Sequence, residues 1–177
     1  LIGLIEDASD SGEQCKAVSE QTTVLLDGLK NAIQFTRSLG QELYPPVLKD
    51  LGVREALEDL VAQFRLRNTT IVFKAHFDDS INQLNPDFGL VIYRIVQEGL
   101  NNAIKYLKGT KVTVNVKMND AVLSLIIGDN GVGFPEKIRF KHSLGLKSIS
   151  ERCRSLSGKI EILNQNGAVI KIEIPVI

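Results

Sequence analysis

The sequence has no charge excess of either sign. Lys+Arg and Asp+Glu both total 21, so the chain is neutral at pH 7. A main partner that is nucleic acid or an acidic membrane would favour a basic balance, so direct contact with either is not expected. It also lacks any run of about 18 uncharged apolar residues, the length a membrane-spanning helix needs. No signal-peptide pattern stands at the front. Only two cysteines occur, Cys15 and Cys153, far apart and without metal-type spacing. That pattern fits a reducing, cytoplasmic compartment. Only two histidines occur, His76 and His142, which excludes a His-rich metal site. The chain starts at Leu1 rather than at methionine, so an excerpt of a longer protein is expected, and whether that parent is membrane-anchored stays open.

What is present divides into two parts. Leu1 to Ala8 reads as the end of a helix, broken by Ser9-Asp10-Ser11-Gly12. From about Glu13 to Tyr44 no proline occurs, and Val18, Thr22, Leu25, Leu29, Ala32, Thr36, Leu39 and Leu43 step in a 4-3 rhythm. Such spacing marks a seam that packs on another helix, although an ordinary amphipathic surface helix would carry a similar stripe. Pro45-Pro46 stops this helix, and Val47 to Gly52 reads as a hinge. The expected domains are 1–47 and 48–177.

Beyond the hinge, helices and strands alternate. Helical spacing covers Val53 to Leu66 and Phe88 to Leu107, and Lys147 to Leu156 reads as a third helix. Ile71, Phe73, Ala75 and Phe77 mark a strand. Val112, Val114, Val116 and Met118 form one face of another, which an Asn119-Asp120 turn joins to a strand over Ala121 to Ile127. Lys159 to Leu163 and Ala168 to Val176 complete the set. Clean period-2 faces predict one sheet covered by helices on one side, a two-layer α+β sandwich.

Four constellations carry possible chemistry. Glu98, Asn102 and Lys105 sit at i, i+4 and i+7 on the long helix and share a face. A carboxamide oxygen suits Mg²⁺, an ammonium suits phosphate, and a carboxylate can orient or deprotonate a nucleophile. A solvated helix face would look the same. Asp129, in Asp129-Asn130-Gly131-Val132-Gly133, is in phase with Leu123, Leu125 and Ile127. Its carboxylate therefore points toward the helix layer, where an acceptor needs a donor such as the adenine amine. The competing reading is a plain turn. Gly145 and Leu146 open a helix, whose N-terminus favours phosphate. Ahead of them Lys137, Arg139, Lys141 and His142 form a basic loop that could close over a triphosphate or be mere surface charge. Gly167-Ala168 enters the last strand, with the small Ala168 facing inward.

In this order the boxes resemble the ATPase superfamily shared by DNA gyrase, a heat-shock chaperone, histidine kinases and a mismatch-repair protein. Glu98 and Asn102 match its Glu-x-x-x-Asn box, Asp129, Gly131 and Gly133 its Asp-x-Gly-x-Gly box, and Gly145 its glycine before a helix. Gly167-Ala168 stands where Gly-Thr is usual. The resemblance covers about residues 53 to 177. Tyr44 to Val53, with its prolines, and Gly145 to Arg152 resemble the histidine kinases that pair with LuxR-type response regulators.

The resemblance implies a Bergerat-type fold, a mixed and mostly antiparallel sheet with helices on one face, preceded by part of a dimerisation helix. It implies ATP and Mg²⁺ as cofactors, a homodimeric parent, and transfer of the γ-phosphate to a histidine on a dimerisation helix. It assigns Mg²⁺ to Asn102, phosphate to Lys105, adenine to Asp129, the incoming imidazole to Glu98, and closure of the phosphate end to Gly145 and Leu146. Tyr106 stands where the family often has histidine, Ser143 where glycine is frequent, and Ala168 lacks the threonine hydroxyl. The family's phosphoacceptor lies in a His-Asp pair, and neither His76 nor His142 is followed by Asp. The acceptor is thus expected to lie outside this chain. A non-catalytic nucleotide switch and a protein-serine kinase of the anti-sigma-factor type share the same boxes.

Overall fold

The computed structural model describes residues 45–106, 108–134 and 144–176. The expected 4-3 seam, the Ser9–Gly12 break, Ser143 and the basic loop with Lys137, Arg139, Lys141 and His142 lie outside these residues. Pro46–Ile177 forms one compact unit.

The unit begins with a departure from expectation. The hinge is a short helix, α1 (Pro46–Asp50). Proline fits a first helical position, where its missing N–H costs nothing. Leu48 is buried and Leu51 N–H donates to Val47 O at 2.9 Å, so this turn is part of the core. Helix α2 (Val53–Arg67) comes next, burying Val53, Ala56, Leu57, Leu60 and Val61 along one stripe. Strand β1 (Val72–Phe77) leads through a 3-10 turn (Asp79–Gln83) to the long helix α3 (Pro86–Tyr106). Strands β2 (Lys111–Asn119) and β3 (Val122–Asp129) form the hairpin. Its register pairs Asn119 with Val122, so the turn residues are Asp120 and Ala121, one later than expected. Asp120 takes φ 52°, a left-handed conformation that Asp tolerates. Helix α4 (Leu144–Ser155) and strands β4 (Lys159–Asn164) and β5 (Ala168–Pro175) complete the unit.

The sheet has five strands in the order β1-β2-β3-β5-β4. β1 and β2 are parallel, and the other pairs are antiparallel. This is the mixed α+β architecture expected. Val112, Val114, Val116, Leu123, Leu125, Ile127, Ile170, Ile172 and Ile174 are all buried, so one face of the sheet carries the core. Leu57, Ile92, Ile95, Val96, Leu100 and Ile149 close it from the helices. Burying each such side chain contributes about 1.5–3 kcal/mol before entropy is counted. The pleat that buries 123, 125 and 127 puts Asp129, itself half-buried, on the same face of the strand.

The fit of α3 on β3 brings the polar residues of both elements to one end of the sheet. A Cβ on Gly99 would overlap the Ile127 side chain. Having none, Gly99 lets the helix lie close on the strand. Glu98 and Asn102 flank that contact, and Asp129 stands two residues beyond it.

Candidate functional site

Two side-chain clusters form at this end of the sheet. The first joins α3 to α4. Glu98 and Asn102 are half-buried, while Lys105 and Tyr106 are exposed at the helix end. The first turn of α4 lies directly against the first two. A Cβ on Gly145 would fall 2.5 Å from Asn102 Oδ1 and 2.7 Å from Nδ2, and nearer still to Glu98 Oε1. Any side chain at this position would push these two polar groups aside. Asn102 Nδ2 is buried without a hydrogen-bond partner among the described residues. A buried amide donor left unpaired costs about 1–3 kcal/mol. A phosphate oxygen would satisfy it, and the same carboxamide turned over would present its oxygen to a hard cation. The residues present therefore fit a Mg²⁺–phosphate group.

Lys105 Nζ lies 5.2 Å from the centroid of the Tyr106 ring. The aromatic face holds the ammonium by a weak and reversible attachment at an exposed position. Leu146 is only 3% exposed, so its side chain anchors α4 in the core.

The second cluster joins β3 to β5. Asp129 Oδ1 accepts hydrogen bonds from Gly131 N–H at 2.7 Å and Ala168 N–H at 3.3 Å. The inward phase read from the sequence is present, but the idea of a carboxylate waiting for its donor needs correcting. The protein itself supplies two donors, both to Oδ1, and no described residue donates to Oδ2. The close approach behind the second bond depends on Gly167. It has φ 139°, and a Cβ there would run into the Asp129 carbonyl. Ala168 contributes its backbone N–H as well as its small size.

Two asparagines that sequence reasoning passed over brace the loop after β3. Asn130 Oδ1 accepts from Thr110 N–H at 2.9 Å and from Lys111 N–H at 2.8 Å. Its Nδ2 reaches Thr110 Oγ1 at 3.3 Å. This ties the Asp129 loop to the start of β2, just past the end of α3. Asn164, at the end of β4, accepts from Phe134 N–H at 2.8 Å and donates to Phe134 O at 3.0 Å. One carboxamide thus stands in for a backbone partner, which its paired donor and acceptor allow. Gly133, just before Phe134, packs against the same side chain with φ 77°. Asparagine beside a glycine-containing turn was the signal available for both residues.

Residues 89–177 match the family described as histidine kinase-, DNA gyrase B-, and HSP90-like ATPase. Over 168 residues the chain is 35% identical to the sensor histidine kinase ComP of Bacillus subtilis (strain 168), covering 90% of this chain and 21% of ComP. It is 32% identical over 151 residues to the oxygen sensor histidine kinase NreB of Staphylococcus carnosus (strain TM300), covering 84% of this chain and 43% of NreB. The chain thus spans less than half the length of either relative. Among solved structures, the ATP binding domain of PrrB from Mycobacterium tuberculosis aligns with a TM-score of 0.58. That match covers 71% of this chain and 94% of the other at 18% identity, a likeness of fold.

Proposed function

Since the chain belongs to the histidine kinase-, DNA gyrase B- and HSP90-like ATPase family, we propose that it binds ATP and transfers the γ-phosphate to a histidine on a dimerisation helix, for relay to a LuxR-type response regulator. The observation that carries this reading is the Asp129 carboxylate, fixed through Oδ1 by Gly131 and Ala168, with Oδ2 free of described donors. A carboxylate held this way accepts the exocyclic amine of adenine and repels the carbonyl that guanine carries in its place.

The other residues take their places along the nucleotide. Gly167 lets β5 lie close beside Asp129, and Gly131 leaves the backbone beside the base without a side chain. Asn102 holds Mg²⁺ through its carboxamide oxygen, and that ion, when bound, neutralises phosphate charge. Lys105 leaves the Tyr106 ring for the phosphates. Gly145 brings the N-terminus of α4, the end of a helix that favours phosphate, to the same end of the site. Glu98, beside Asn102 and under Gly145, orients the incoming imidazole and takes its proton.

The acceptor helix comes from outside Pro46–Ile177. Within that unit only His76 and His142 are imidazoles, and neither precedes an Asp. Residues 1–47 are proposed as part of the dimerisation region, from the 4-3 seam and the proline joint, in a parent that works as a homodimer. No helix among the described residues is long and apolar enough to cross a membrane.

Calorimetric titration with ATP and with GTP, each with and without Mg²⁺, tests the nucleotide part. ATP should bind at least about tenfold more tightly than GTP, the scale of one good hydrogen bond against a repulsive contact. Equal affinity for the two would remove Asp129 from its role.

A further inference from the structure

A cleft of about 770 Å³ runs between α2 and β1, lined by none of the residues grouped around Asp129 and Asn102. Among the described residues β1 is an edge strand, paired only with β2. Val72 N–H donates to Thr110 O at 2.8 Å, and Asp78 N–H to Val116 O at 3.1 Å. In a parallel ladder alternate residues turn both backbone groups to the same neighbour. Residues 72, 74, 76 and 78 therefore serve β2, while Phe73, Ala75 and Phe77 aim theirs at the free edge. At one end Arg65 Nη2 already donates to Phe73 O at 3.0 Å. Ala75 and Phe77 remain, and both line the cleft.

The opposite wall is helix α2. Val61 and Ala62 face the cleft there, and Ala75 is the small residue between buried Phe73 and Phe77. Small apolar side chains on both walls leave space over a row of unused backbone groups. The rim is acidic. Glu55, Glu58, Asp59, Asp78 and Asp79 line it against Arg54, Arg65 and His76, the last bonded to Asp78 at 3.2 Å. Arg54 is engaged with Glu55, Glu58 and Asp79 at 3.3, 2.8 and 3.0 Å, and Arg65 with the Phe73 carbonyl, so neither guanidinium offers itself to an arriving anion. Asp79 and Glu58 stay 94% and 51% exposed. The whole chain is neutral, so this excess is local.

We propose that this cleft docks an extended, basic peptide segment as an added strand on β1. Main-chain bonds to Ala75 and Phe77 supply the attachment, and alternate side chains select the partner. At about 3.3 Å per residue the free edge accepts roughly five residues. Lysine or arginine at alternate positions would lay its stem over Ala62 and Ala75 and its head against Glu58 and Asp59. The proposal is independent of the nucleotide site.

The test uses the whole chain, 15N-labelled, titrated with acetyl-Lys-Val-Lys-Val-Lys-amide. The same peptide N-methylated at alternate residues keeps the charge and loses the ladder donors. The plain peptide should shift the Ala75 and Phe77 amides saturably and slow their hydrogen exchange. Glu58→Gln with Asp59→Asn, both on the exposed rim, should weaken binding by about five- to tenfold, the scale of two rim charges. No shift at Ala75 or Phe77 would overturn the proposal. So would equal binding of the N-methylated peptide, which would leave a charge patch only. Protection of the Ala75 amide that rises with protein concentration without peptide would name a second copy of the chain as the occupant and overturn the basic-peptide assignment.

Discussion

The N–H of Ala168 donates to Oδ1 of Asp129 at 3.3 Å, joining residues 39 apart in sequence across adjacent strands. Together with the Gly131 bond it uses one oxygen of the carboxylate, and no described residue donates to the other.

Asp129→Asn separates these two jobs. An asparagine keeps one acceptor oxygen, so Gly131 and Ala168 retain their partner and the fold holds. The other position becomes an NH₂ that opposes the adenine amine. ATP affinity should fall by at least about tenfold, with the melting temperature nearly unchanged, since one strong buried bond is lost to ligand rather than to protein. Calorimetry and thermal melting on the same sample check both halves.

Glu98 and Asn102 both touch the space that Gly145 leaves open, yet their proposed roles differ. Asn102→Ala should abolish the Mg²⁺ dependence of ATP binding. Glu98→Gln should keep ATP affinity within about threefold and slow transfer by about 10²–10⁴, the usual worth of a positioned general base. Nucleotide titration and a single-turnover transfer assay distinguish them. Loss of binding in Glu98→Gln as complete as in Asn102→Ala would merge the two roles.

Asn164 holds Phe134 by both of its backbone groups. Asn164→Ala leaves those groups to water and frees the end of the Asp129 loop. The exposed bonds make the stability cost small, about 1 kcal/mol. The larger effect should be on nucleotide dissociation, which stopped-flow with a fluorescent ATP analogue would show as a several-fold faster off-rate. An unchanged off-rate would reduce the clamp to a structural detail.

The turn after β1 also carries a cap. Asn82 Oδ1 accepts from Arg54 N–H at 2.8 Å at the start of α2, and its Nδ2 donates to Glu55 Oε2 at 2.7 Å. The Asn82 bond is the leading reason the Glu55 carboxyl sits below its usual range. A depressed folded value stabilises above the unfolded pKa, and that stabilisation is lost as pH falls through the folded value. Asn82→Ala should therefore cost about 1 kcal/mol at neutral pH, the worth of a typical helix cap. The gap from the parent should narrow in acid. Urea denaturation across pH measures both.

Which features are legible in the sequence depends on the range of each interaction. The phase of β3 is visible because Leu123, Leu125 and Ile127 alternate cleanly, and that alone aims Asp129 inward. The Glu98–Asn102 spacing is equally local. Neither shows that Ala168 and Gly131 take Oδ1, because the Ala168 donor arrives from another strand after the chain has folded back. Asn130 and Asn164 are hidden for the same reason: a carboxamide that replaces a backbone partner leaves no periodic mark. Helix α1 reads as a hinge because five residues are too few to display a helical period.

The central claim is transfer to a histidine outside Pro46–Ile177, and one labelling experiment tests it most directly. In-line transfer needs an imidazole within about 3–3.5 Å of the γ-phosphorus in attack geometry. His76 lies on β1, fixed in the sheet and hydrogen-bonded to Asp78 at 3.2 Å. The chain is mixed with γ-labelled ATP and Mg²⁺, alone and with a separate dimerisation helix bearing a His-Asp pair. The account predicts no label on the chain alone and acid-labile label on the added helix, lost in Glu98→Gln. Acid-labile label on the chain alone, removed by changing His76 or His142, would contradict it.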